Sequence, residues 1–207
     1  MSLSFASSDD VLALLQRGKP LRPVAAFSTP IETPRRLVPR NGIPTELVIS
    51  GGQTGADRAG LDAALAVGLP IDGHCPAGRL SEDGTIPDIY PRRETGTCSY
   101  GERTALNVKH SVATLVLSFE PVDELSQSGS GKTVRLCKKH ERPCLNVTLH
   151  PVHSPSEKSV AGVVAWLRKR NVVVLNVAGP RESKAPGLQA AATAFLIRVL
   201  GQEQADV

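Results

Sequence analysis

The chain has 207 residues, of which 41% are hydrophobic and 3% aromatic, and its formal net charge is +4. This length permits one large domain or one domain with an appendage, and such a domain folds without disulfides or a structural metal. Few aromatic residues and scattered basic residues argue against a nucleic-acid-binding surface, which needs exposed rings or massed cations. The sequence has no apolar run of 18 residues or more, so we expect no membrane association through a transmembrane helix.

The four cysteines are Cys75, Cys98, Cys137 and Cys144. None forms a CxxC pair, so a zinc site of the usual spacing is not expected. Thiols in an aliphatic-rich chain are typical of reduced cytoplasmic proteins, and the N-terminus lacks the pattern of a secretory signal. We therefore predict a cytoplasmic protein. Cys75 could be a thiolate ligand or a small buried hydrophobe, and the second role is the commoner one.

The first 44 residues differ from the rest of the chain. Proline at high density breaks helices and sheet ladders, so this segment predicts a Pro-rich, flexible N-terminal arm with one short helix capped by Ser8. The predicted domains are accordingly an arm over residues 1–44 and a folded domain over residues 45–207. The prolines of the arm are Pro20, Pro23, Pro30, Pro34, Pro39 and Pro44.

From residue 45 onward, short apolar runs alternate with helical periodicity. Strands that alternate with helices predict an α/β, Rossmann-like, three-layer domain with a mainly parallel sheet. Ligands of such sheets bind beyond the carboxyl ends of the strands. The predicted elements are a strand at 47–49, a helix at 56–67, a long loop at 70–98, a helix at 100–110, a strand at 113–119, a helix at 130–140, a strand at 144–149, a helix from 156 that ends at a left-handed Asn171, a strand at 172–177 and a helix at 186–200.

The first glycine-rich loop, residues 50–57, lies between the first strand and the first helix of the domain. Its glycines let the backbone turn tightly, and the helix N-terminus favours a phosphate or another oxyanion. The glycine spacing differs from the GxGxxG fingerprint, and an ordinary strand-to-helix turn is the structural alternative. The candidate ligand-binding residues of this loop are Gly51, Gly52, Gln53, Thr54, Gly55 and Asp57.

The second glycine-rich loop, residues 126–133, also follows a strand and opens a helix. It is not a complete P-loop, because Ser126 stands where GxxxxGK[ST] requires glycine. Small residues with a lysine at a helix N-terminus still predict an oxyanion site. A structural turn and nucleoside triphosphate hydrolysis remain as alternatives. The candidate residues here are Ser128, Gly129, Ser130, Gly131, Lys132 and Thr133.

Three further segments carry candidate ligand-binding side chains. Arg79, in the long loop, could clamp an anion. Arg103 and Asn107 share a polar helix stripe with Tyr100 and His110, which is either a solvated face or the lining of a cleft.

Near the C-terminus, Glu182 and Arg181 follow a strand, and they could contact the ligand or form an ion pair. His150 and His153 are interpreted as a casual surface pair. No acid–base pair stands out, so the sequence indicates binding more clearly than catalysis.

These motifs resemble those of the molybdenum carrier family over roughly residues 46–200. The resemblance rests on residues 50–59, on 75–79 with 82–84, on 90–91 with 93–95, on 102–104 with 107–108 and on 176–183. That family is similar in fold to the lysine-decarboxylase-like phosphoribohydrolases. The family usually shows Gly-Gly-Thr in the second loop, where this chain has Gly129-Ser130-Gly131-Lys132-Thr133, which adds a cation.

The resemblance implies a homo-oligomeric carrier that binds molybdenum cofactor (molybdopterin) or another phosphate or oxyanion ligand and delivers it to a recipient molybdoenzyme. It also implies that both glycine-rich loops hold anionic groups. We therefore expect binding, storage or delivery of a small anionic ligand without catalysis. The alternatives are a nucleotide-processing enzyme of the phosphoribohydrolase type and a nucleotide-sensing module.

Overall fold

The computed structural model describes residues 42–123 and 126–201. The predicted arm and its helix fall almost entirely on residues 1–41, which lie outside this described part. The elements are β1 (Leu47–Ile49), α1 (Ala56–Ala66), β2 (Ile71–Asp72), β3 (His74–Cys75), β4 (Leu80–Ser81), β5 (Gly84–Thr85), β6 (Arg93–Glu94), α2 (Tyr100–His110), β7 (Ala113–Ser118), α3 (Gly129–Lys139), β8 (Cys144–Thr148), α4 (Glu157–Lys169), β9 (Val174–Ala178) and α5 (Leu188–Leu200).

The main sheet has five strands in the order β2-β1-β9-β7-β8. Every neighbouring pair in it is parallel, which confirms the predicted α/β fold with a parallel sheet. The chain leaves β1 toward one edge through α1 and leaves β7 toward the other edge through α3. The last strand, β9, lies between β1 and β7, so the loops that follow these three strands meet at one end of the sheet.

The largest hydrophobic core lies on one face of the sheet. Alternate residues of the central strands point into it, as Leu115 and Leu117 of β7 and Leu175 and Val177 of β9 do, and α1, α4 and α5 close it. On the other side of the sheet, α2 packs against α3. This arrangement is the predicted three-layer fold, because a parallel sheet buries apolar residues on both of its faces.

Helix ends follow the expected chemistry. Gly68 ends α1 with a φ of 76°, and Asn171 follows α4 with a φ of 46°, which confirms the predicted left-handed end of that helix. At the start of α4, the Ser156 side chain accepts a hydrogen bond from the Ser159 backbone N–H. These caps satisfy backbone groups that would otherwise lack partners.

The segment predicted as a long loop at 70–98 contains regular structure. It supplies the edge strand β2, a parallel pair of β3 with β6 and an antiparallel pair of β4 with β5. Each of these strands has two residues, which is too short to show an alternating pattern in the sequence. Arg79 fixes the segment by donating to the backbone carbonyls of Ile86, Pro87 and Tyr90.

Candidate ligand-binding cleft

A cleft of about 740 Å³ opens at the carboxyl ends of β1, β7 and β9. Ser118 and Ala178, the last residues of β7 and β9, form part of its floor. The N-terminal turns of α2 and α3 and the loop before α5 form its walls. The volume lies within the range of about 300–1,000 Å³ that is typical of small-molecule sites.

The first glycine-rich loop brings a buried ion pair to this cleft. Arg103 Nη1 donates to Asp57 Oδ2 at 2.7 Å, and the exposed fractions of the two side chains are 12% and 4%. A Cβ atom on Gly51 would lie 1.7 Å from Arg103 Nη1, so only glycine leaves room for the guanidinium. Asp57 also lies in the first turn of α1, where the helix dipole favours its negative charge.

The backbone donors at the start of α1 are bound within the protein. The N–H groups of Thr54, Gly55 and Ala56 donate to the Gln53 side chain, the Gln189 side chain and the Pro180 carbonyl, respectively. These groups would otherwise be the donors that bind an anion at a helix N-terminus. The first loop therefore offers an incoming ligand fewer donors than its sequence suggests.

Glu82 joins the first loop to the segment before α5. Its carboxylate accepts hydrogen bonds from the Thr54 hydroxyl and from both the backbone N–H and the hydroxyl of Ser183, and it lies 3.3 Å from Arg181 Nε. Burial raises the pKa of Glu82, but these hydrogen bonds and the Arg181 charge outweigh it and hold the pKa below the ordinary value. Thr54 and Arg181 are thus engaged in joining two loops.

The second glycine-rich loop is more open to the cleft. The Ser128 side chain caps α3 by accepting from the Gly131 N–H at 3.1 Å. Gly131 is required here, because a Cβ atom would lie 2.1 Å from the Ser126 carbonyl oxygen. The Ser130 side chain lines the cleft and is 2% exposed, yet its hydroxyl has no hydrogen-bond partner in the part of the chain that the structure describes.

The structure brings half of the predicted site residues to the cleft lining. Those that line it are Gln53, Asp57, Arg103, Ser128, Gly129, Ser130, Lys132 and Thr133. The others, which support the loops or lie elsewhere, are Gly51, Gly52, Thr54, Gly55, Arg79, Asn107, Gly131 and Glu182.

Three predicted side chains make contacts within the protein framework. Arg79 binds carbonyl oxygens of its own loop, and Asn107 is 1% exposed and exchanges two hydrogen bonds with the backbone of His74. The Glu182 carboxylate accepts from the backbone N–H groups of Gly187 and Gln189, at the start of α5. These contacts explain the residues structurally, without a ligand.

The cleft is also lined by apolar residues that the sequence did not single out, namely Phe119, Pro121 and Val122, which follow β7. Tyr100 of α2, a member of the predicted polar stripe, lines the cleft as well, with an exposed fraction of 43%. The position of the three apolar residues just beyond the carboxyl end of a parallel strand was the available signal. Lys184, from the turn before α5, adds a cation that was likewise missed.

Other chemically active residues lie outside this cleft. Cys75 is fully buried, and burial raises the pKa of its thiol, as expected of a small core residue. His150 and His153 are exposed neighbours whose Nδ1 atoms are 2.7 Å apart. Across residues 42–123 and 126–201, no group of three or more His, Cys, Asp or Glu residues is placed to hold a metal ion. Within the same residues, no helix has the length and apolar character needed to cross a membrane.

Comparisons with known proteins identify the family to which this chain belongs. Residues 48–200 match the model of the circularly permutated YpsA SLOG family. The fold matches the crystal structure of a "putative molybdenum carrier protein" from Syntrophus aciditrophicus SB with a TM-score of 0.71 and 35% identity, over 77% of this chain and 97% of the other. No curated protein matches the chain. The resemblance stated from the motifs is thereby confirmed, and the protein belongs to the circularly permutated YpsA SLOG family.

Proposed function

We propose that the cleft binds molybdenum cofactor and holds it for storage or delivery without transforming it. The supporting observation is that polar and apolar residues line the same cleft. Ser130 and Lys132, at the N-terminus of α3, define what we call its polar end, while Phe119 and Val122, which follow β7, are apolar lining residues. A pterin that carries one phosphate needs both kinds of lining, since it joins a planar ring to an anion.

The residues present fit the phosphate of this group. The buried Ser130 hydroxyl needs an acceptor, and a phosphate oxygen would satisfy it. The Lys132 and Lys184 ammonium groups line the same space and would balance an anion. The volume of about 740 Å³ accommodates a drug-sized ligand.

A holding role agrees with the contacts that Asp57 and Glu82 make. The buried carboxylate in the cleft, Asp57, is paired with Arg103, and the nearby Glu82 joins Thr54 to Ser183. Both carboxylates are therefore engaged in positioning protein groups. Homo-oligomerisation and transfer to a recipient molybdoenzyme extend the same proposal.

The test is an equilibrium binding measurement with molybdenum cofactor, in which bound molybdenum and bound pterin are quantified separately. Gly129→Trp should weaken binding by roughly tenfold or more, because Gly129 lines the cleft and a Cβ atom there meets no protein atom within 4 Å. Gly162→Trp is the matched control: Gly162 is an exposed helical glycine of α4 with the same open surroundings.

Nucleoside monophosphates form the second arm of this experiment, because a nucleotide also joins a planar ring to a phosphate. Release of free base from a nucleotide would overturn the holding role in favour of a phosphoribohydrolase. Tighter binding of a nucleotide than of the cofactor would favour a nucleotide sensor. Absence of saturable cofactor binding would refute the proposal outright.

A further inference from the structure

Two helix N-termini and one ammonium group meet at the polar end of the cleft. α2 begins at Tyr100 and α3 begins at Gly129, and both residues line the cleft. The Lys132 side chain spans the gap between these helices, because a Cβ atom on Gly101 would lie 2.3 Å from Lys132 Nζ. Gly101 therefore provides the space in which the ammonium lies against the first turn of α2.

This placement concentrates positive charge. A helix N-terminus carries a partial positive charge, so an ammonium group beside it is repelled unless an anion lies nearby. The Ser99 side chain makes no capping hydrogen bond at the start of α2. Glu102, in the first turn of α2, offsets part of the dipole with its negative charge, and its carboxylate accepts a hydrogen bond from the Thr97 hydroxyl. Lys132 forms no ion pair with any residue in 42–123 or 126–201.

The other charged groups that line the cleft do not cancel the positive charge of Lys132. Arg103 is paired with Asp57, and Arg181 lies beside Glu82. Glu120 and Lys184 are the remaining charged residues of the described lining, and their charges are opposite. Among the described lining residues, none is therefore paired with Lys132, and a ligand can balance its charge.

The Ser130 hydroxyl supplies an independent indication of a ligand. It is buried in the lining and has no acceptor among the described residues. The ammonium and the backbone N–H groups at this point are also donors. A group that offers only acceptors is therefore preferred over one that carries its own O–H donor.

We infer that Lys132, packed against Gly101, makes this end of the cleft selective for a tetrahedral dianion, namely a terminal phosphomonoester in its fully ionised form. The inference rests on the proposed function for the rest of the ligand but concerns only its anionic end. A phosphomonoester loses its second proton with a pKa of about 6. Protonation would remove one charge and place an O–H against a set of donors.

The test uses the full chain with methyl phosphate and sulfate as probes, and affinities are measured by calorimetry or NMR titration. Between about pH 7.5 and about pH 5, the dianionic fraction of methyl phosphate falls roughly tenfold, and its affinity should fall with it. Sulfate remains a dianion across this range, so its affinity should stay constant. Equal falls for both probes, or no fall for methyl phosphate, would overturn the inference.

Two variants test the residue assignment. Lys132→Met should weaken methyl phosphate binding by roughly tenfold, because a charge-assisted contact is lost at nearly constant side-chain length. Gly101→Ala should also weaken it, because the added methyl displaces the ammonium and leaves the charge present. Lys139→Met, at the other end of α3, is the control and should bind as the parent does. Parent-like affinity in Lys132→Met with an unchanged melting temperature contradicts the inference.

The experiments distinguish failure of the cofactor proposal from failure of the dianion assignment. If the cofactor binds saturably while Lys132→Met keeps its affinity for methyl phosphate, the dianion assignment is wrong and the carrier function stands. If the methyl phosphate results follow the expected pattern while no cofactor binds, the anion subsite stands and the cofactor proposal is wrong.

Discussion

The two glycine-rich loops of this protein look alike in sequence and differ in what their polar groups do. Both follow a parallel strand and open a helix. In the first, the N–H groups of Thr54, Gly55 and Ala56 and the Asp57 carboxylate all have protein partners. In the second, the buried Ser130 hydroxyl has none among the described residues. The glycine content of a loop predicts where the backbone turns. Whether the hydrogen-bond donors of that loop remain available to a ligand depends on the contacts that neighbouring segments make with them.

The largest expected effect compares one glycine from each loop. Gly55 has a φ of 77°, and a Cβ atom there would lie 2.5 Å from the Pro180 carbonyl oxygen. Gly55→Ala should therefore lower the free energy of unfolding by about 3 kcal/mol, from backbone strain and a backbone clash. Gly129→Ala adds a methyl to open space and should change it by less than about 0.5 kcal/mol. Urea unfolding measures both, and equal effects would show that the loops do not differ in this way.

The next effect concerns the ion pair under the first loop. Asp57→Asn leaves the Arg103 guanidinium buried with a neutral partner, and we expect a loss of about 2 kcal/mol in the free energy of unfolding. Asp88→Asn is the control, because Asp88 is fully solvated and lies 3.7 Å from Arg79. That exposed pair should contribute less than about 1 kcal/mol. If Asp57→Asn and Asp88→Asn lower the free energy of unfolding equally, Arg103 must have another acceptor in the protein.

A smaller effect should appear in acid, where the first loop meets the β4–β5 hairpin. Arg58 donates to the Gly52 carbonyl and to both carboxylate oxygens of Asp83, and its hydrogen bond to Asp83 lowers the pKa of that carboxyl from 3.8 to about 2. Because the folded pKa is the lower one, the stabilisation is present above about pH 4 and is lost as the pH falls toward 2. Half of the carboxylate is exposed, so its size should be below about 1 kcal/mol.

Unfolding of the parent and of Asp83→Asn at about pH 5 and about pH 2 measures this term. At the higher pH the parent should have a larger free energy of unfolding than Asp83→Asn, and this difference between the two proteins should narrow at the lower pH. A gap that is independent of pH would mean that the Arg58–Asp83 pair does not link the hairpin to the loop electrostatically.

Much of the fold was predictable because its signals are local. The runs at 113–118 and 174–178 are apolar enough to indicate buried strands, and the helices between them show regular periodicity. The two-residue strands β2 to β6 were not predictable, because they form through pairing with distant segments rather than through a pattern of their own.

The cleft was predictable in position and only partly in chemistry. Parallel topology alone places the loops after β1, β7 and β9 together. The contact of Arg103 with Asp57 joins residues 46 positions apart, and that of Lys132 with Gly101 joins two helices, so neither is visible as spacing in the sequence. The same holds for Arg79 and Asn107, whose polar side chains satisfy backbone groups of the 70–98 segment.

The smallest expected effect on stability is also the most informative about the second loop. Ser130→Ala removes a hydroxyl that has no described partner, so it should leave the free energy of unfolding within about 0.5 kcal/mol of the parent or raise it. Ser128→Ala removes the cap of α3 and should cost about 1 kcal/mol. If Ser130→Ala costs as much as Ser128→Ala, the hydroxyl has a partner within the protein, and the polar end of the cleft loses an indication of a ligand. If it costs nothing and yet weakens methyl phosphate binding, the hydroxyl serves the ligand rather than the fold.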